Sequence, residues 1–189
     1  MSNPITVAAF SGSLRRNSHN TGLLRAAAEL MPDLVAVHIL EIRDLPFFNT
    51  ELEGDNTPAS VKVFRQGIAA ADALLIACPE YNYSITGALK NAIDWASRTP
   101  APGISPVIQG KPAAIMGAGG RFGTVRAQSH LRYILLHSDV KVLNKPELMI
   151  PRSGDHFDSD GNLTSSDVHE QLAALLRSLH AWTLQLQKP

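Results

Sequence analysis

The sequence has little cysteine and no excess charge of either sign, and these deficits exclude several classes of protein. Its single cysteine, Cys78, excludes an intrachain disulfide framework and indicates a reducing compartment. Seventeen basic residues balance seventeen acidic ones, so no overall field attracts nucleic acid or an anionic membrane. The longest apolar runs fall short of the roughly 18 to 20 residues that a bilayer span needs, and the first residues lack the pattern of a signal peptide. We therefore expect a cytoplasmic protein with no membrane or nucleic-acid partner.

Metal-site and hydrolase signatures are also missing. The seven histidines include no pair at metalloprotease spacing around a carboxylate, and one thiol cannot build a cysteine-rich metal site. No Gly-x-Ser-x-Gly segment occurs, which argues against an α/β-hydrolase. Cys78 ends an apolar run and is interpreted as a small core residue instead of a redox group. The sequence thus predicts no metal site.

Strand and helix patterns alternate along the whole chain. With 189 residues and 44% apolar content, residues 1–189 are predicted to form one domain. Apolar runs predict strands at residues 5–10, 34–40, 73–78, 113–116 and 142–150. Helical periodicity predicts helices at residues 21–31, 60–71, 86–98, 124–137 and 166–186. Three long connections, residues 43–58, 99–111 and 151–164, are candidates for site walls or subunit contacts.

This alternation predicts a doubly wound α/β fold. The first, third and fourth apolar runs are nearly unbroken, as expected for strands that helices cover on both faces. We expect a flavodoxin-like, five-stranded parallel sheet with the order 2-1-3-4-5. In such a sheet a ligand lies beyond the carboxyl ends of strands one and three, where the winding reverses.

Two loops with suitable chemistry fall at that point. Residues 11–20 carry hydroxyls and two arginines at the start of a helix, where an anion is favoured. Residues 79–84 supply aromatic, amide and backbone groups for a flat heterocycle. Together the loops predict a flavin mononucleotide (FMN) site. As alternatives, Ser18 or Asn20 simply caps the helix, and the second loop is an ordinary turn.

Two glycine-containing segments do not make further nucleotide sites. Residues 117–123 follow a strand, but Phe122 occupies the third glycine position of the dinucleotide fingerprint, so a separate Rossmann site for NAD(P) is not expected. Residues 103–111 differ from a Walker loop in glycine spacing, and Pro112 replaces the hydroxyl residue. Any hydride donor to the flavin is therefore expected to share one site with the molecule that the flavin reduces.

The chain resembles the NAD(P)H-dependent FMN reductase family, and within it the bacterial quinone and chromate reductases. The likeness rests on residues 12–20, 79–84, 87–95, 126–132 and 144–147 and so covers nearly the whole chain. It implies a flavodoxin-like fold, bound FMN, NADPH or NADH as hydride donor, and a homodimer or a dimer of dimers. It also implies small-molecule acceptors such as quinones, free flavin, azo compounds or chromate.

Carried over by position, the resemblance assigns the site residues. The phosphate is held by Ser13, Arg15, Asn17, Ser18 and Asn20. The isoalloxazine ring is lined by Pro79, Glu80, Tyr81, Asn82 and Tyr83, and a third wall is formed by Ala118, Gly119 and Gly120. No catalytic side chain is required, because the cofactor performs the hydride chemistry. A 2′-phosphate on the donor could meet Arg15, Arg16 or a residue of the connection 43–58, and the family likeness favours NADPH.

Two features bear on assembly and on the alternatives. Relatives commonly have a tyrosine where this chain has Ser129, in a subunit contact with an arginine and a glutamate that Arg126 and Glu147 match. The predicted helix 86–98 carries more apolar residues than one stripe against the sheet needs, so we expect these helices to pack in a dimer near the flavin. The competing interpretations are a flavodoxin-type electron carrier, whose usual negative charge is absent here, and a flavin-free nucleotide-binding module.

Overall fold

The computed structural model describes residues 4–99 and 103–188, so residues 100–102 of the second long connection lie outside the described residues. The strands are β1 (Ile5–Ser11), β2 (Val35–Ile39), β3 (Ala73–Ala77), β4 (Pro112–Ala118), β5 (Lys141–Val142) and β6 (Leu148–Ile150). The helices are α1 (His19–Leu30), α2 (Ala59–Ala70), α3 (Gly87–Ala96), α4 (Val125–His137) and α5 (Ser166–Leu186). Among these described helices, none combines the length and apolar character needed to cross a bilayer.

The strands form one parallel sheet in the order β2-β1-β3-β4-β5. Ala9 of β1 lies opposite Ile39 of β2 on one side and Leu75 of β3 on the other. The buried runs of β1, β3 and β4 explain the central positions, because only strands covered on both faces can be apolar throughout. The flavodoxin-like fold and its strand order are confirmed.

The predicted fifth strand, residues 142–150, is divided in two. β5 pairs with the start of β4, and β6 pairs with its end, where Ala118 lies opposite Ile150. The residues between them, 143–147, belong to neither strand and include Pro146, which has no N–H to contribute to a ladder. As a result β6 supports the carboxyl end of β4, where the candidate site lies.

Two apolar cores cover the two faces of the sheet. One joins the sheet to α1 and α5, and the other joins it to α2, α3 and α4. Leu89, Ile93 and Trp95 of α3 are all buried in the second core, and the Trp95 indole N–H donates to the Pro46 carbonyl at 2.8 Å. The prediction that α3 carries more apolar residues than its packing against the sheet needs is therefore wrong, since its large apolar side chains are buried within the subunit.

Candidate active site

The carboxyl ends of β1, β3 and β4 meet at a cavity of about 360 Å³, which we call the first cavity. It is lined by Ser13, Arg15, Ser18, His19, Asn20, Pro79, Glu80, Tyr81, Ala118, Gly119, Gly120 and Ser153. All three predicted walls thus contribute to one cavity. Of the predicted site residues, only Asn17, Asn82 and Tyr83 are not part of its lining.

The first loop combines helix capping with an exposed cation. The Ser18 hydroxyl accepts a hydrogen bond from the Thr21 N–H at 3.3 Å and so caps α1. The Ser13 hydroxyl accepts from the Arg15 N–H at 3.4 Å, and Arg15 itself is exposed and lines the cavity. Capping and anion binding are compatible here, because a capped helix start still carries a positive partial charge.

Asn17 and Asn20 make contacts other than those predicted from the phosphate motif. The Asn17 amide donates to the Ser159 carbonyl at 2.9 Å, which ties the first loop to the connection 151–164. The buried Asn20 amide pairs with the backbone of Ala118, donating to its carbonyl at 2.8 Å and accepting from its N–H at 3.1 Å. Asn20 thereby fixes the third wall against the start of α1.

Thr86 connects the first two loops, and the sequence interpretation did not identify it. Its hydroxyl donates to the Gly12 carbonyl at 2.7 Å and accepts from the Leu89 N–H at 3.1 Å, which caps α3. A Cβ on Gly12 would lie only 2.8 Å from the Cβ of Leu89. A glycine is therefore needed where the first loop crosses the start of α3.

The second loop is a tight turn with an uncommon backbone. Tyr81 and Ser84 exchange two backbone hydrogen bonds of 3.0 Å each, and the two residues between them, Asn82 and Tyr83, have φ of 49° and 66°. Two successive positive φ values are typical of a type I′ turn, in which a tyrosine is unusual. Such strained residues cluster at ligand sites. The turn exposes both tyrosine rings.

Glu80 joins the second loop to α4. Its carboxylate accepts from the backbone N–H groups of Arg126 at 3.0 Å and Ala127 at 3.1 Å, and from the Arg126 guanidinium at 3.1 Å. Because the cap residue Thr124 makes no side-chain cap bond, Glu80 supplies the acceptor and the negative charge that a helix start favours. The Arg126 guanidinium also lies 4.2 Å from the centre of the Tyr83 ring.

A second cavity of about 550 Å³ adjoins the first, and the two share Glu80 and Gly120. Its lining consists of Glu80, Asn82, Tyr83, Gly120, Arg121, Phe122, Gly123 and Arg126. Asn82 and Tyr83 therefore lie at the mouth of the first cavity. Aromatic rings and cations dominate this mouth.

The third wall is formed mainly by backbone atoms, because two of its three residues are glycines. A Cβ on Gly119 would lie 2.4 Å from the Gly123 carbonyl, whereas a Cβ on Gly120 would meet open space. The Gly119 carbonyl accepts from the Ser153 N–H at 2.9 Å, and the Gly119 N–H donates to the Ile150 carbonyl at 3.0 Å. Any side chain at position 120 would fill the junction of the two cavities, so glycine keeps that space open for a ligand.

His19 and Ser153 also line the first cavity, although the predicted set omitted both. The His19 Nδ1 lies 2.9 Å from the Ser153 hydroxyl, and its ring stacks on Phe157 with a centroid distance of 4.5 Å. Burial lowers the pKa of His19 below its ordinary value of 6.5, and the Arg15 charge lowers it further, against an opposing effect of Asp158. The only sequence signal for Ser153 was the length of the connection that carries it.

The remaining candidate groups have other roles within the chain. Burial, reinforced by the Glu80 charge, raises the pKa of the Cys78 thiol to about 12, so the thiol is protonated and unreactive at neutral pH. Glu147 pairs with Lys145 at 2.6 Å, and Arg126 pairs with Glu80.

The site as a whole fits FMN. Hydroxyls and an arginine at a helix start suit its phosphate, and a turn with exposed rings and a glycine wall suit its flat ring.

Comparisons with known proteins agree with this chemistry. Residues 5–155 match the family described as NADPH-dependent FMN reductase. The chain is 46% identical over 188 residues to an NAD(P)H-dependent FMN reductase of Pseudomonas aeruginosa, covering 99% of this chain and 100% of that one. It is 47% identical to an NADPH:quinone oxidoreductase of Arabidopsis thaliana, covering 97% and 94% of the two chains.

A solved structure has the same overall fold. The flavoenzyme NAD(P)H:(acceptor) oxidoreductase of Paracoccus denitrificans superposes with a TM-score of 0.83 at 34% identity, covering 96% of this chain and 98% of that one. The sequence match, the fold and the three-walled cavity all lead to the same assignment. The chain belongs to the NADPH-dependent FMN reductase family.

Proposed function

We propose that FMN binds in the first cavity, with its phosphate at Ser13, Arg15 and Ser18 and its ring between the second loop and the third wall. As a family member the protein is an FMN-dependent NAD(P)H oxidoreductase. The observation that carries the placement is the meeting of all three predicted walls in one cavity, with Gly120 open toward the mouth. Asn20 and Thr86 position these walls without being assigned a contact to the cofactor.

The protein's own contribution is binding and positioning. When bound, FMN supplies the two-electron chemistry, taking hydride from NADPH or NADH and passing electrons to an acceptor. Arg15 and the start of α1 hold the phosphate by charge. Tyr83, Phe122 and Arg126 form a mouth of rings and cations on which flat donors and acceptors bind in turn. No side chain is assigned as an acid or base.

We propose quinones as the acceptors, and free flavin, chromate and azo compounds as further candidates. The relative from Arabidopsis thaliana is named a quinone oxidoreductase, and the aromatic mouth is suited to flat rings.

We also propose a cytoplasmic location, because the one cysteine is a buried, protonated thiol with no disulfide role. The electron-carrier alternative lacks support, since the chain carries no net negative charge.

The placement of the phosphate is tested by Arg15→Ala. Hydrogen bonds to a charged group contribute roughly 1.5 to 3 kcal/mol, so FMN binding should weaken by about tenfold to a hundredfold. Fluorescence titration of the FMN-free protein measures the dissociation constant. Riboflavin, which lacks the phosphate, should bind the wild type and the variant equally well.

Arg65→Ala is the matched control. Arg65 lies on α2 and donates to the Arg98 carbonyl at 2.9 Å, outside the lining of the first cavity. Its removal changes the net charge by the same amount and should leave FMN binding unchanged. An FMN dissociation constant that is the same for Arg15→Ala and the wild type would refute the proposed placement.

A further inference from the structure

A third cavity lies at the carboxyl ends of β1 and β2, beyond the first loop. Its volume is about 650 Å³. The lining consists of Ser11, Ser13, Arg15, Arg16, Thr21, Ile39, Leu40, Glu41, Ile42 and Arg43. Ser13 and Arg15 also line the first cavity, so the two spaces share one wall.

Positive charge dominates this third cavity. Three guanidinium groups, those of Arg15, Arg16 and Arg43, face one carboxylate, that of Glu41. One oxygen of Glu41 is engaged by the backbone, because it accepts from the N–H groups of Ile42 at 3.0 Å and Arg43 at 2.9 Å. This excess of positive charge favours an anion in the cavity.

Arg43 is held in place by the first loop. Its Nη2 donates to the Leu14 carbonyl at 2.7 Å. A guanidinium has five N–H donors in a rigid fork, so this single bond orients the group and leaves other donors for a ligand. Arg16 follows Arg15 in the same loop and is exposed.

One part of the cavity is apolar. Ile39, Leu40 and Ile42 contribute to its lining at the end of β2, and Ile39 is 43% exposed. An exposed isoleucine beside arginines is suited to a nucleotide, whose flat base packs on the isoleucine while its ribose phosphate pairs with the arginines. A free inorganic anion would use the arginines alone.

We infer that the third cavity binds the adenosine 2′-phosphate end of NADPH and makes the enzyme prefer NADPH over NADH. A phosphate monoester carries a charge of about −1.5 to −2 at neutral pH and pairs bidentately with arginine. NADH has a hydroxyl in that place and gains nothing from Arg16 or Arg43. The inference rests on the proposed function, because it takes the hydride donor of that reaction as the ligand.

The end of β2 supports this ligand on general grounds. In dinucleotide-binding sheets an acidic residue near that point binds the ribose 2′-hydroxyl of NADH, whereas a nearby arginine accommodates the 2′-phosphate of NADPH. Here one oxygen of the acidic residue, Glu41, is occupied by the N–H groups of Ile42 and Arg43, and the Arg43 side chain follows two residues later. Donor selection therefore needs no glycine fingerprint, because side chains from the end of β2 and from the first loop perform it.

The kinetic test uses Arg16→Gln and Arg43→Gln, with Arg65→Gln as the matched control. We expect each cavity variant to lower kcat/KM for NADPH by about tenfold to a hundredfold, the effect of one charge-assisted hydrogen bond. The kcat/KM for NADH should stay within about twofold of the wild-type value in all three variants. If the variants lowered kcat/KM for NADH as much as kcat/KM for NADPH, the inference would be overturned.

The binding test needs no turnover. Calorimetry on the FMN-loaded protein compares 2′,5′-ADP with 5′-ADP, which lacks the 2′-phosphate. We expect 2′,5′-ADP to bind more tightly, and Arg43→Gln to remove the difference. Equal affinities in the wild type, or a difference that disappears in Arg121→Gln and persists in Arg43→Gln, would overturn the inference, since Arg121 lines the second cavity instead.

The FMN dissociation constant separates the inference from the proposed function. Arg16→Gln should leave it unchanged, because Arg16 does not line the first cavity. Arg43→Gln also removes the bond to the Leu14 carbonyl of the first loop, so Arg16→Gln is the variant that decides this point. A weakened FMN complex in Arg16→Gln would assign the third cavity to FMN and so overturn the inference. Failure of the FMN placement would appear separately, in the Arg15→Ala titration.

Discussion

Asn20 shows how one buried side chain sets the shape of the site. Its amide satisfies both backbone groups of Ala118, at the point where β4 gives way to the glycine wall. A buried amide that lost this partner would leave an N–H and a carbonyl without hydrogen bonds. The geometry of the third wall therefore depends on a residue of the first loop.

We expect Asn20→Ala to destabilise the fold by about 1 to 3 kcal/mol for each backbone group left unsatisfied. Urea denaturation of the FMN-free protein measures this loss. Asn17→Ala is the comparison, because Asn17 makes one bond to Ser159 at a partly exposed position and its loss should cost about 0.5 to 1.5 kcal/mol. If the two variants were equally stable, the Asn20 contact would not be what holds the wall.

Residue types in the loops could be predicted from the sequence, but their partners could not. Ser18 as a cap and Gly120 as an open position follow from local chemistry. The partners of Asn20, Thr86 and Glu80 lie 98, 74 and 46 residues away along the chain. Nothing in one sequence reveals these contacts, because only the packed fold brings the groups together.

Unbroken apolar runs identified β1, β3 and β4 because these strands are buried on both faces. The same signal failed for the fifth strand, since apolar residues on both sides of Pro146 were interpreted as one run. The division into β5 and β6 depends on pairing with β4, which is a tertiary effect.

The number of apolar residues in α3 also gave a wrong prediction. It indicated an apolar surface left for a dimer contact, but the large side chains of α3 all fit into the core.

Asp72 ties three elements together at the opposite end of the sheet. Its carboxylate accepts from the N–H and hydroxyl of Thr6 in β1, both at 2.8 Å, and from the Gln187 amide after α5 at 3.2 Å. Burial raises the pKa of Asp72, but the two Thr6 bonds, the Gln187 bond and the Lys111 charge outweigh it, so the pKa lies below its ordinary 3.8. The folded state thus favours the carboxylate.

This lowered pKa gives a stability that depends on pH. The contribution of Asp72 is present above pH 3.8, the ordinary pKa, and is lost as the pH falls through the lower folded value. We expect Asp72→Asn to lower the free energy of unfolding at neutral pH and to differ less from the wild type in acid. Urea denaturation across this range measures the difference, and Thr6→Val should reduce it. A difference that is constant with pH would contradict the assignment.

We propose that the protein forms a homodimer, with its interface on α4 instead of α3. Tyr133 and Leu136 of α4 are 78% and 70% exposed, and Phe122 and Val125 expose further apolar surface near the mouth of the site. Apolar patches of this kind mark interaction surfaces. Ser129 lies on the same helix, and its hydroxyl donates to the Val125 carbonyl at 2.9 Å. The family resemblance implies a tyrosine at position 129 in a contact between subunits, so we propose no tetramer contact through this serine.

Light scattering tests this interface with two variants. We expect Leu136→Glu to halve the mass of the wild-type dimer, because a charge at a closed two-fold contact meets its own copy. Ala88→Glu, on the partly exposed face of α3, should leave the dimer intact. A wild-type monomer, or dissociation caused by Ala88→Glu alone, would contradict the proposed surface.

As a reductase, the protein should oxidise NAD(P)H with its own FMN and without a different partner protein. Anaerobic stopped-flow mixing of the FMN-loaded protein with NADPH, followed by a second mixing with a quinone, measures this. We expect prompt loss of the visible flavin absorbance with NADPH alone, and its return when quinone is added. A flavin absorbance that NADPH leaves unchanged until a separate reductase is present would show that the protein is an electron carrier instead.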